Sequence, residues 1–181
     1  MSVIELIENS RRRVLMSVRC IGTKQVIEAL RRARAREVRV LLIVPTLHDC
    51  VDELLASRLQ YAELLSFGVE VREYQSRPSA ARAIIVDDVV LVGGVDLDSQ
   101  TLYRRYEAAA AVHDTAFARE AAQRIFEVDE EHHCVSVADA EAATKLLRQE
   151  GGAAPAAMLV EGVRMLCGHG AAEMVVEHLE L

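Results

Sequence analysis

The sequence predicts an α/β domain with one mixed β-sheet flanked by helices on both faces, followed by a short helical C-terminal extension. Apolar runs of strand length alternate with stretches of helical spacing, in the order β-α-β-α-β-β-β-β-α after a first short helix. Two strand–helix–strand crossovers favour parallel pairing, and the hairpin-like steps after them favour antiparallel pairing. With 181 residues, 51% of them hydrophobic, the chain is long enough to bury one core.

The first half of the chain predicts the two crossovers. Val26, Ile27 and Leu30 recur at helical spacing, so they form one apolar stripe that faces a core. Val38–Pro45 is almost continuously apolar, the pattern of a strand covered on both faces. Gly68 ends the last helix of this half, because glycine adopts a positive φ without steric cost. In order, the elements are a helix from Ser2 to about Arg12, a strand Arg13–Arg19, a helix capped by Thr23 that ends near Ala35, the strand Val38–Pro45 and a helix from about Asp49 to Phe67.

The second half predicts strands joined by short steps. Asp87 and Asp88 form a turn between two of them, since aspartate is common in tight turns. Asp114 or Thr115 caps the final helix. The predicted strands are Val69–Tyr74, Ala83–Val86, Val90–Val95 and Glu107–Val112, and the helix ends near Glu127. Beyond Glu131 the sequence predicts a linker at Gly151–Pro155 among small helices at Ala138–Gln149, Pro155–Cys167 and Ala171–Leu179.

Charge is distributed unevenly along the chain. The net charge is −7, with a balance of +1 over residues 1–126 and −8 over residues 127–181. The shift predicts a domain over residues 1–131 and an acidic helical extension over residues 132–181. An acidic extension repels phosphate backbones and anionic lipids, so nucleic acid is not an expected partner. No apolar run approaches the roughly 20 residues of a membrane span, which predicts a cytoplasmic protein without a transmembrane segment.

Two groups of polar residues have competing interpretations. The arginines between Arg31 and Arg36 spread around several faces of a helix, which favours a solvated surface, with a rim that attracts phosphate as the alternative. His132, His133 and Cys134 are adjacent, and adjacent side chains of an extended chain point to opposite sides. An exposed segment after a helix is therefore favoured over a metal site. The four cysteines form no C-x-x-C pair, which favours free thiols. We expect neither metal nor cofactor.

Three stretches of the sequence carry a resemblance to a known family. YAELLSFGVEVREYQ (61–75) resembles the segment that leads to the second catalytic motif of cardiolipin synthases, and ARAIIVDD (81–88) with LVGGVDLDSQTL (91–102) resembles the next segment of that family. YEAAAAVHDTAFAREAAQRIFEVD (106–129) resembles the strand and helix that close the family's domain. The similarity runs from about Val3 to Asp129. The chain thus resembles the C-terminal half of a cardiolipin synthase in the phospholipase D superfamily, which implies a phospholipase D-like sheet.

The family's motif is His-x-Lys-x-x-x-x-Asp, followed by Gly-Ser-x-Asn. In the family, one His attacks phosphorus to form a phosphohistidine, and a second His from another half protonates the leaving oxygen. Lys and Asn hold the phosphate oxygens. Counting back from Asp87 as the motif Asp places Arg82 at the Lys position and Ala80 at the His position. The remaining motif-equivalent positions are Gly93 for the Gly, Gly94 for the Ser, Asp96 for the Asn and Glu107 for an acidic residue after the motif.

The replaced positions predict a catalytically inactive domain with a degenerate motif. Ala80 has neither a lone pair nor a proton to give, and residues 76–83 contain no His, Cys, Lys or Tyr. Asp96 adds a carboxylate where a phosphodiester would sit. Two unit charges about 4 Å apart interact by about 4 kcal/mol at an effective dielectric constant of about 20. Arg82 keeps a positive charge and is the candidate anion-binding residue.

The site residues also have structural interpretations. Arg82 either binds an anion or joins an ion cluster with Asp87, Asp96 or Glu107. Asp87 is suited to a turn, and Gly93–Gly94 to a bulge or a close approach between strands.

Three functions therefore remain open. The first is an inactive module that acts in binding or assembly. The second is a component of a phosphatidyltransferase or phosphodiesterase that is active only with an intact partner half, and the third is a small-anion sensor built on Arg82. Family members pack two halves with their motifs face to face, so the resemblance implies a homodimer or an intact phospholipase D-like half as partner. It also implies a phospholipid or phosphodiester as ligand class, and a position peripheral to the membrane. The apolar strands Val38–Pro45 and Ala83–Val95 are expected to leave a face that a partner covers.

Overall fold

The residues described in the computed structural model, which are 2–46, 51–76, 82–98, 102, 108–139, 141–143, 145–146 and 164–167, include seven strands in one sheet. The strands are β1 (Arg13–Ser17), β2 (Arg39–Pro45), β3 (Glu70–Tyr74), β4 (Ala83–Val86), β5 (Val89–Gly93), β6 (Ala109–His113) and β7 (Cys134–Ser136). Their order across the sheet is β6-β5-β4-β1-β2-β3-β7. β1, β2 and β3 pair in parallel, and the other neighbours pair antiparallel. The predicted mixed sheet is confirmed.

Helices cover both faces of this sheet. They are α1 (Val3–Asn9), α2 (Lys24–Ala35), α3 (Val51–Ser66), α4 (Thr115–Ala121), a π-helical segment (Ala122–Glu127) and α5 (Val128–His133). Successive side chains of β2 point to opposite faces. Leu42 joins a core with residues of α1, α2 and α3, whereas Leu41 and Ile43 join a second core with Phe126 of the π-helical segment. Because helices cover both faces of the sheet at β2, this strand is apolar along almost its whole length.

The chain's own helices bury the strands that were expected to attract a partner. Every residue of β2 after Arg39 is buried, and so are all four residues of β4. The expectation that Val38–Pro45 leaves a face for a partner is therefore wrong, because α2 and α3 cover one side and the last helix covers the other. Apolar surface remains exposed toward the two ends of the sheet, at Val92 on β5 with Ala109–Ala111 on β6, and at Val135 on β7.

The parallel strands end at one side of the sheet, which we call the carboxyl edge. Ser17, the last residue of β1, lies opposite Ala83, the first residue of β4. At the same edge β5 ends at Gly93, whose N–H donates to the Arg82 carbonyl oxygen at 3.1 Å. Arg82 and the chain beyond Gly93 are therefore brought together just past the end of β1.

The helix ends have the capping residues that the sequence predicts. Ser2 and Glu5 form a reciprocal capping box at the start of α1. The Asp114 side chain caps α4 by accepting the backbone N–H of Phe117. Gly68 follows α3 with φ of +83°, a conformation that favours glycine.

The end of the domain differs from the prediction. The last helix does not end near Glu127 but continues to His133. Cys134–Ser136 then pairs antiparallel with β3, with Cys134 opposite Tyr74. A strand of three residues is too short for its alternation to be recognised, so the sequence predicts only an exposed segment there. The first residues assigned to the acidic extension thus complete the sheet.

Parts of the predicted extension are helical and pack on the domain. The helical residues are 141–143, 145–146 and 164–167, within the helices predicted at Ala138–Gln149 and Pro155–Cys167. Ala143 and Leu166 are buried. The predicted linker Gly151–Pro155 and the helix Ala171–Leu179 lie outside the described residues. None of the helices that the structure describes is both long and apolar enough to cross a membrane.

Candidate functional site

An ion pair at the carboxyl edge joins two motif-equivalent residues. Arg82 immediately precedes β4 and Asp96 follows β5, and the antiparallel pairing of these strands brings both to the same edge. Arg82 Nη2 is ion-paired with Asp96 Oδ2. The Asp96 side chain is 7% exposed and that of Arg82 is 37% exposed. Among the carboxylates that the sequence offered as partners of Arg82, Asp96 holds it in the structure.

The second oxygen of Asp96 binds the chain that leaves β1. Asp96 Oδ1 accepts the backbone N–H of Arg19 at 2.8 Å. The Arg19 guanidinium in turn binds Glu53 Oε2 of α3, with Nε at 3.1 Å and Nη2 at 2.9 Å. Arg19 and Arg82 therefore each face a carboxylate. Arg19 and Glu53 were not predicted as site residues; a charged residue directly after a buried strand is the signal that could have found Arg19.

The Arg82–Asp96 pair leaves one polar atom unsatisfied. Arg82 Nε is buried and has no hydrogen-bond partner among the residues that the structure describes. A guanidinium presents its donors in a planar fork that matches the oxygens of a carboxylate or phosphate. One donor of the fork is thus occupied by Asp96, and Nε, which has no exposed surface, can receive an added oxygen atom only after a neighbouring group moves.

The two glycines of the motif region permit a close approach between backbones. Gly93 has φ of +122°, and a Cβ atom at this position would lie 2.7 Å from the Ala108 carbonyl oxygen. Gly94 donates its N–H to the same carbonyl oxygen at 3.0 Å. The chain leaves the sheet here, so β5 ends at Gly93 and not at Val95 as predicted. This arrangement favours the structural interpretation of the glycine pair.

The structure places Asp87 at the opposite edge of the sheet, away from Arg82. It lies in the turn between β4 and β5 with φ of +52°. Its carboxylate accepts the backbone N–H groups of the three arginines that lead into β1, Arg11, Arg12 and Arg13. Asp88 forms an exposed ion pair with Arg12. Asp87 therefore connects two segments of the fold.

Among the other candidate residues, the structure describes His133 and its neighbours. Ala80 and Glu107 lie outside the described residues. His133 Nδ1 lies 2.8 Å from Ser76 Oγ, and its ring meets that of Tyr74 edge-on. Over the described ranges, no group of three or more His, Cys, Asp or Glu side chains could hold a metal ion.

The arginine cluster of α2 has partners within the chain. Arg31 and Arg32 pair with Glu28, Arg32 also pairs with Glu8, Arg34 donates to the Val38 carbonyl oxygen, and Arg36 donates to the Ile7 carbonyl oxygen. Two of these arginines thus form surface ion pairs and two satisfy carbonyl groups near helix ends. The geometry supports the solvated-surface interpretation and gives no support to a phosphate-attracting rim.

The described thiols are poor nucleophiles at neutral pH. Burial raises the pKa of Cys134 to about 11 and that of Cys167 to about 12. Burial also raises the pKa of Cys20 well above the ordinary value. Because the thiolate is the reactive form, none of these three cysteines is an activated nucleophile.

Solved structures with the same fold define the class of protein. A phospholipase D family member, Nuc from Salmonella typhimurium, superposes with a TM-score of 0.63 at 17% identity, covering 74% of this chain and 87% of that one. Phosphatidylserine synthase from Haemophilus influenzae Rd KW20 superposes with a TM-score of 0.60 at 13% identity, covering 81% and 39%. At these identities the likeness concerns the fold. The chain has the α/β fold of the phospholipase D type.

Sequence comparison then identifies the family. Residues 3–129 match the family described as cardiolipin synthase, PLD-like domain. This match covers well over half of the chain, which therefore belongs to that family. Cardiolipin synthase A of Buchnera aphidicola subsp. Acyrthosiphon pisum (strain Tuc7) is 32% identical over 100 residues, 55% of this chain and 21% of that protein. Cardiolipin synthase A of Yersinia pestis bv. Antiqua (strain Angola) is 30% identical over 104 residues, 57% and 21%. The aligned part spans about a fifth of the length of these relatives.

Proposed function

We propose that this chain is a catalytically inactive phospholipase D-like domain that acts in binding or assembly. The observation that carries the proposal is the ion pair between Arg82 and Asp96. By resemblance, these positions belong to the Lys and Asn that hold phosphate oxygens in the family. Here the cation at one position is neutralised by a carboxylate at the other, and the position of the attacking His is Ala80.

Opening the pair for a phosphodiester is unfavourable. Asp96 is nearly buried, and removing the partner of a buried charge costs about 3–5 kcal/mol. Because the Arg82 side chain is 37% exposed, water screens the pair and the cost falls between that of a buried pair and the roughly 0–1 kcal/mol of an exposed pair, at about 2 kcal/mol. A phosphodiester at Arg82 would also lie beside the Asp96 carboxylate, which repels it. Both terms oppose substrate binding before any chemical step.

An activity assay tests the proposal directly. The purified chain should neither hydrolyse nor transfer phosphodiesters or phospholipids, and phosphorus NMR should detect no phosphohistidine. Arg82→Ala is the control for contaminating enzymes, since it alters the site and leaves a contaminant unchanged. Turnover in the unmodified chain that disappears in Arg82→Ala would contradict inactivity.

Restoring the motif gives a second, stricter test. Ala80→His together with Arg82→Lys should not restore full activity, because Asp96 still repels the substrate. Adding Asp96→Asn to this pair removes the repulsion and should raise the activity above that of the double variant. Full activity in the double variant would show that Asp96 does not block the site.

The assembly part of the proposal is supported by the exposed apolar surface of β5 and β6. Val92 is 42% exposed, and Ala109–Ala111 are exposed beside it. Surface of this kind near the carboxyl edge suits a homodimer with a two-fold axis or an intact phospholipase D-like half. Sedimentation should show a dimer at micromolar concentration that Val92→Lys disrupts. Phe117, 41% exposed on α4, provides the matched control, since Phe117→Lys should leave the dimer intact.

The alternative is a phosphatidyltransferase or phosphodiesterase component that requires an intact half. The same assay with an added intact half distinguishes the two functions. Activity above that of the intact half alone favours the component, and unchanged activity favours the inactive module.

A small-anion site at Arg82 is a second candidate, and the unsatisfied Nε atom favours it. Asp96 competes for the same guanidinium, so we expect millimolar phosphate binding. Phosphate titration followed by amide chemical shifts near Arg82 measures it. Asp96→Asn should strengthen binding, and Arg82→Ala should abolish it. An absence of any response in Asp96→Asn would eliminate the anion site.

A further inference from the structure

One edge of the sheet is formed by a strand that is open on its outer side. β6 is the last strand in the sheet order; it pairs with β5 on one side and with no strand that the structure describes on the other. The consecutive residues Ala109, Ala110 and Ala111 are all exposed. Because neighbouring residues of a strand point to opposite faces, neither face of β6 is covered at these residues.

The backbone groups of β6 alternate between β5 and this open edge. In an antiparallel ladder, every second residue exchanges hydrogen bonds with the neighbouring strand, and the residues between them direct N–H and C=O away from it. The Gly94 N–H donates to the Ala108 carbonyl oxygen at 3.0 Å, which sets the alternation. The residues that face β5 are then Ala110 and Val112, and those that face outward are Ala109, Ala111 and His113. Within the described part of the chain, the outward N–H and C=O groups have no hydrogen-bond partner.

Sheet edges are ordinarily protected from other chains, and β6 has none of the usual protection. Natural edge strands are very short, or carry charged residues, prolines or bulges that prevent pairing. β7, at the opposite end of the sheet, has only three residues. β6 has five residues with the sequence AAAVH, which contains no lysine, arginine, acidic residue or proline, and its register with β5 has no bulge. Such an edge is a template for another strand.

We propose that β6 pairs with β6 of a second copy, antiparallel about a two-fold axis at Ala111, so that the two sheets join into one. The proposal rests on the homodimer proposed above and names the strand that forms it. In this register Ala111 faces the partner's Ala111, and Ala109 faces the partner's His113. Each of these pairs exchanges two N–H···O bonds, so the three pairs across the axis supply about six hydrogen bonds and satisfy every outward group.

The side chains of β6 also suit pairing with an identical strand. Like charges directly opposite each other destabilise a pair of strands, and here His113 faces an alanine. Ala110 faces the partner's Val112 on the face of the sheet that carries Val92, because Val92 lies directly opposite Ala110. These three side chains form one apolar row across the interface. The row extends over Val92, which is 42% exposed in the single chain.

Disulfide cross-linking tests the register. Ala111→Cys places two thiols opposite each other with Cα atoms about 5.5 Å apart, within the roughly 4.4–6.8 Å that a disulfide spans. Ala109→Cys is the matched control on the same face, since its own copy lies four positions along the strand, about 14 Å away. With oxidised glutathione as oxidant, Ala111→Cys should form covalent dimers about tenfold faster than Ala109→Cys, each corrected for the unmodified chain. Equal rates, or a faster reaction of Ala109→Cys, would overturn the proposed register.

Hydrogen exchange resolved by residue tests the alternation. The N–H groups of Ala109, Ala111 and His113 should exchange about tenfold more slowly in the dimer than after dilution below its dissociation constant. The N–H groups of Ala110 and Val112 are bonded to β5 in both states and are the internal reference. An equal effect of dilution on the two sets would contradict edge pairing.

Ala111→Lys separates edge pairing from the homodimer on which it rests. The Ala111 side chain is exposed in the single chain, so lysine is tolerated there, but two like charges would meet at the axis of the dimer. A dimeric unmodified chain and a monomeric Ala111→Lys with an unchanged circular dichroism spectrum support edge pairing. If Ala111→Lys remains a dimer in sedimentation, edge pairing is wrong and the homodimer stands. If the unmodified chain is itself a monomer at micromolar concentration, the homodimer fails, and edge pairing with it.

Discussion

Asp87→Ala is expected to destabilise the fold and leave the carboxyl edge unchanged. The Asp87 carboxylate accepts the backbone N–H of Arg11 at 2.9 Å, of Arg12 at 2.8 Å and of Arg13 at 3.1 Å. These bonds hold the segment between α1 and β1 against the β4–β5 turn. Alanine removes all three acceptors at once.

The expected cost has two parts. Hydrogen bonds to a charged group contribute about 1.5–3 kcal/mol each, but water can replace the acceptor for the exposed N–H groups of Arg11 and Arg12. We therefore assign about 2 kcal/mol to the lost acceptors, chiefly for the partly buried N–H of Arg13. Asp87 has φ of +52°, where alanine is less favourable than aspartate by about 1 kcal/mol. The sum is about 3 kcal/mol.

Urea denaturation followed by circular dichroism measures this cost. Asp87→Gly removes the carboxylate without the conformational penalty, so it should be about 1 kcal/mol more stable than Asp87→Ala. Asp88→Asn is the matched control, because it alters only an exposed ion pair and should change stability little. The reasoning is refuted if Asp87→Ala and Asp88→Asn have the same free energy of unfolding.

Three further predictions concern charge and burial. Arg58 and Glu73 form a bidentate ion pair with side chains only 4% and 3% exposed, so Arg58→Met should cost about 3–5 kcal/mol in urea denaturation. Adding Glu73→Leu should recover most of that loss; no recovery would contradict the assignment. Burial raises the pKa of Cys134 to about 11, so the neutral thiol is favoured in the folded state. The free energy of unfolding should therefore decrease as the pH rises from about 9 to 11. Cys134→Ser should remove this decrease. Arg39 lowers the pKa of Glu70 below its ordinary value of 4.5. The pair therefore stabilises the fold above pH 4.5, and this contribution is lost as the pH falls below that value. If Glu70→Gln has the same dependence of unfolding free energy on acid pH as the unmodified chain, this prediction is refuted.

Much of the fold could be predicted because its signals are local. The apolar run Val38–Pro45 indicated a strand covered on both faces, and β2 is buried on both. Ser2, Gly68 and Asp114 marked helix ends through their side chains or the lack of one. Each of these signals depends only on residues that are close together in the sequence, so a short stretch of sequence is enough to recognise it.

The features that the sequence did not predict depend on contacts between distant residues. Arg58 and Glu73 lie 15 positions apart on α3 and β3, and charged residues inside a helix and a strand ordinarily face solvent. Burial is tolerated because each supplies the other's partner. The Arg19–Glu53 pair depends in the same way on α3 packing beside the end of β1. The strand at Cys134–Ser136 forms because β3 offers it an edge.

The motif residues differ in what the fold requires of them. Asp87 and Gly93 are unchanged from the family's pattern; the first binds three backbone N–H groups, and the second admits the Ala108 carbonyl oxygen where a Cβ atom would not fit. Asp96 and Arg82 differ from the pattern; they bind each other, and Asp96 also accepts the backbone N–H of Arg19. By resemblance, these are positions whose family role is toward phosphate. Their replacement is what loss of catalysis with retention of the scaffold would produce, and it supports the proposal of an inactive domain. An active enzyme with rearranged chemistry would instead show turnover in the unmodified chain that disappears in Arg82→Ala, which the activity assay measures.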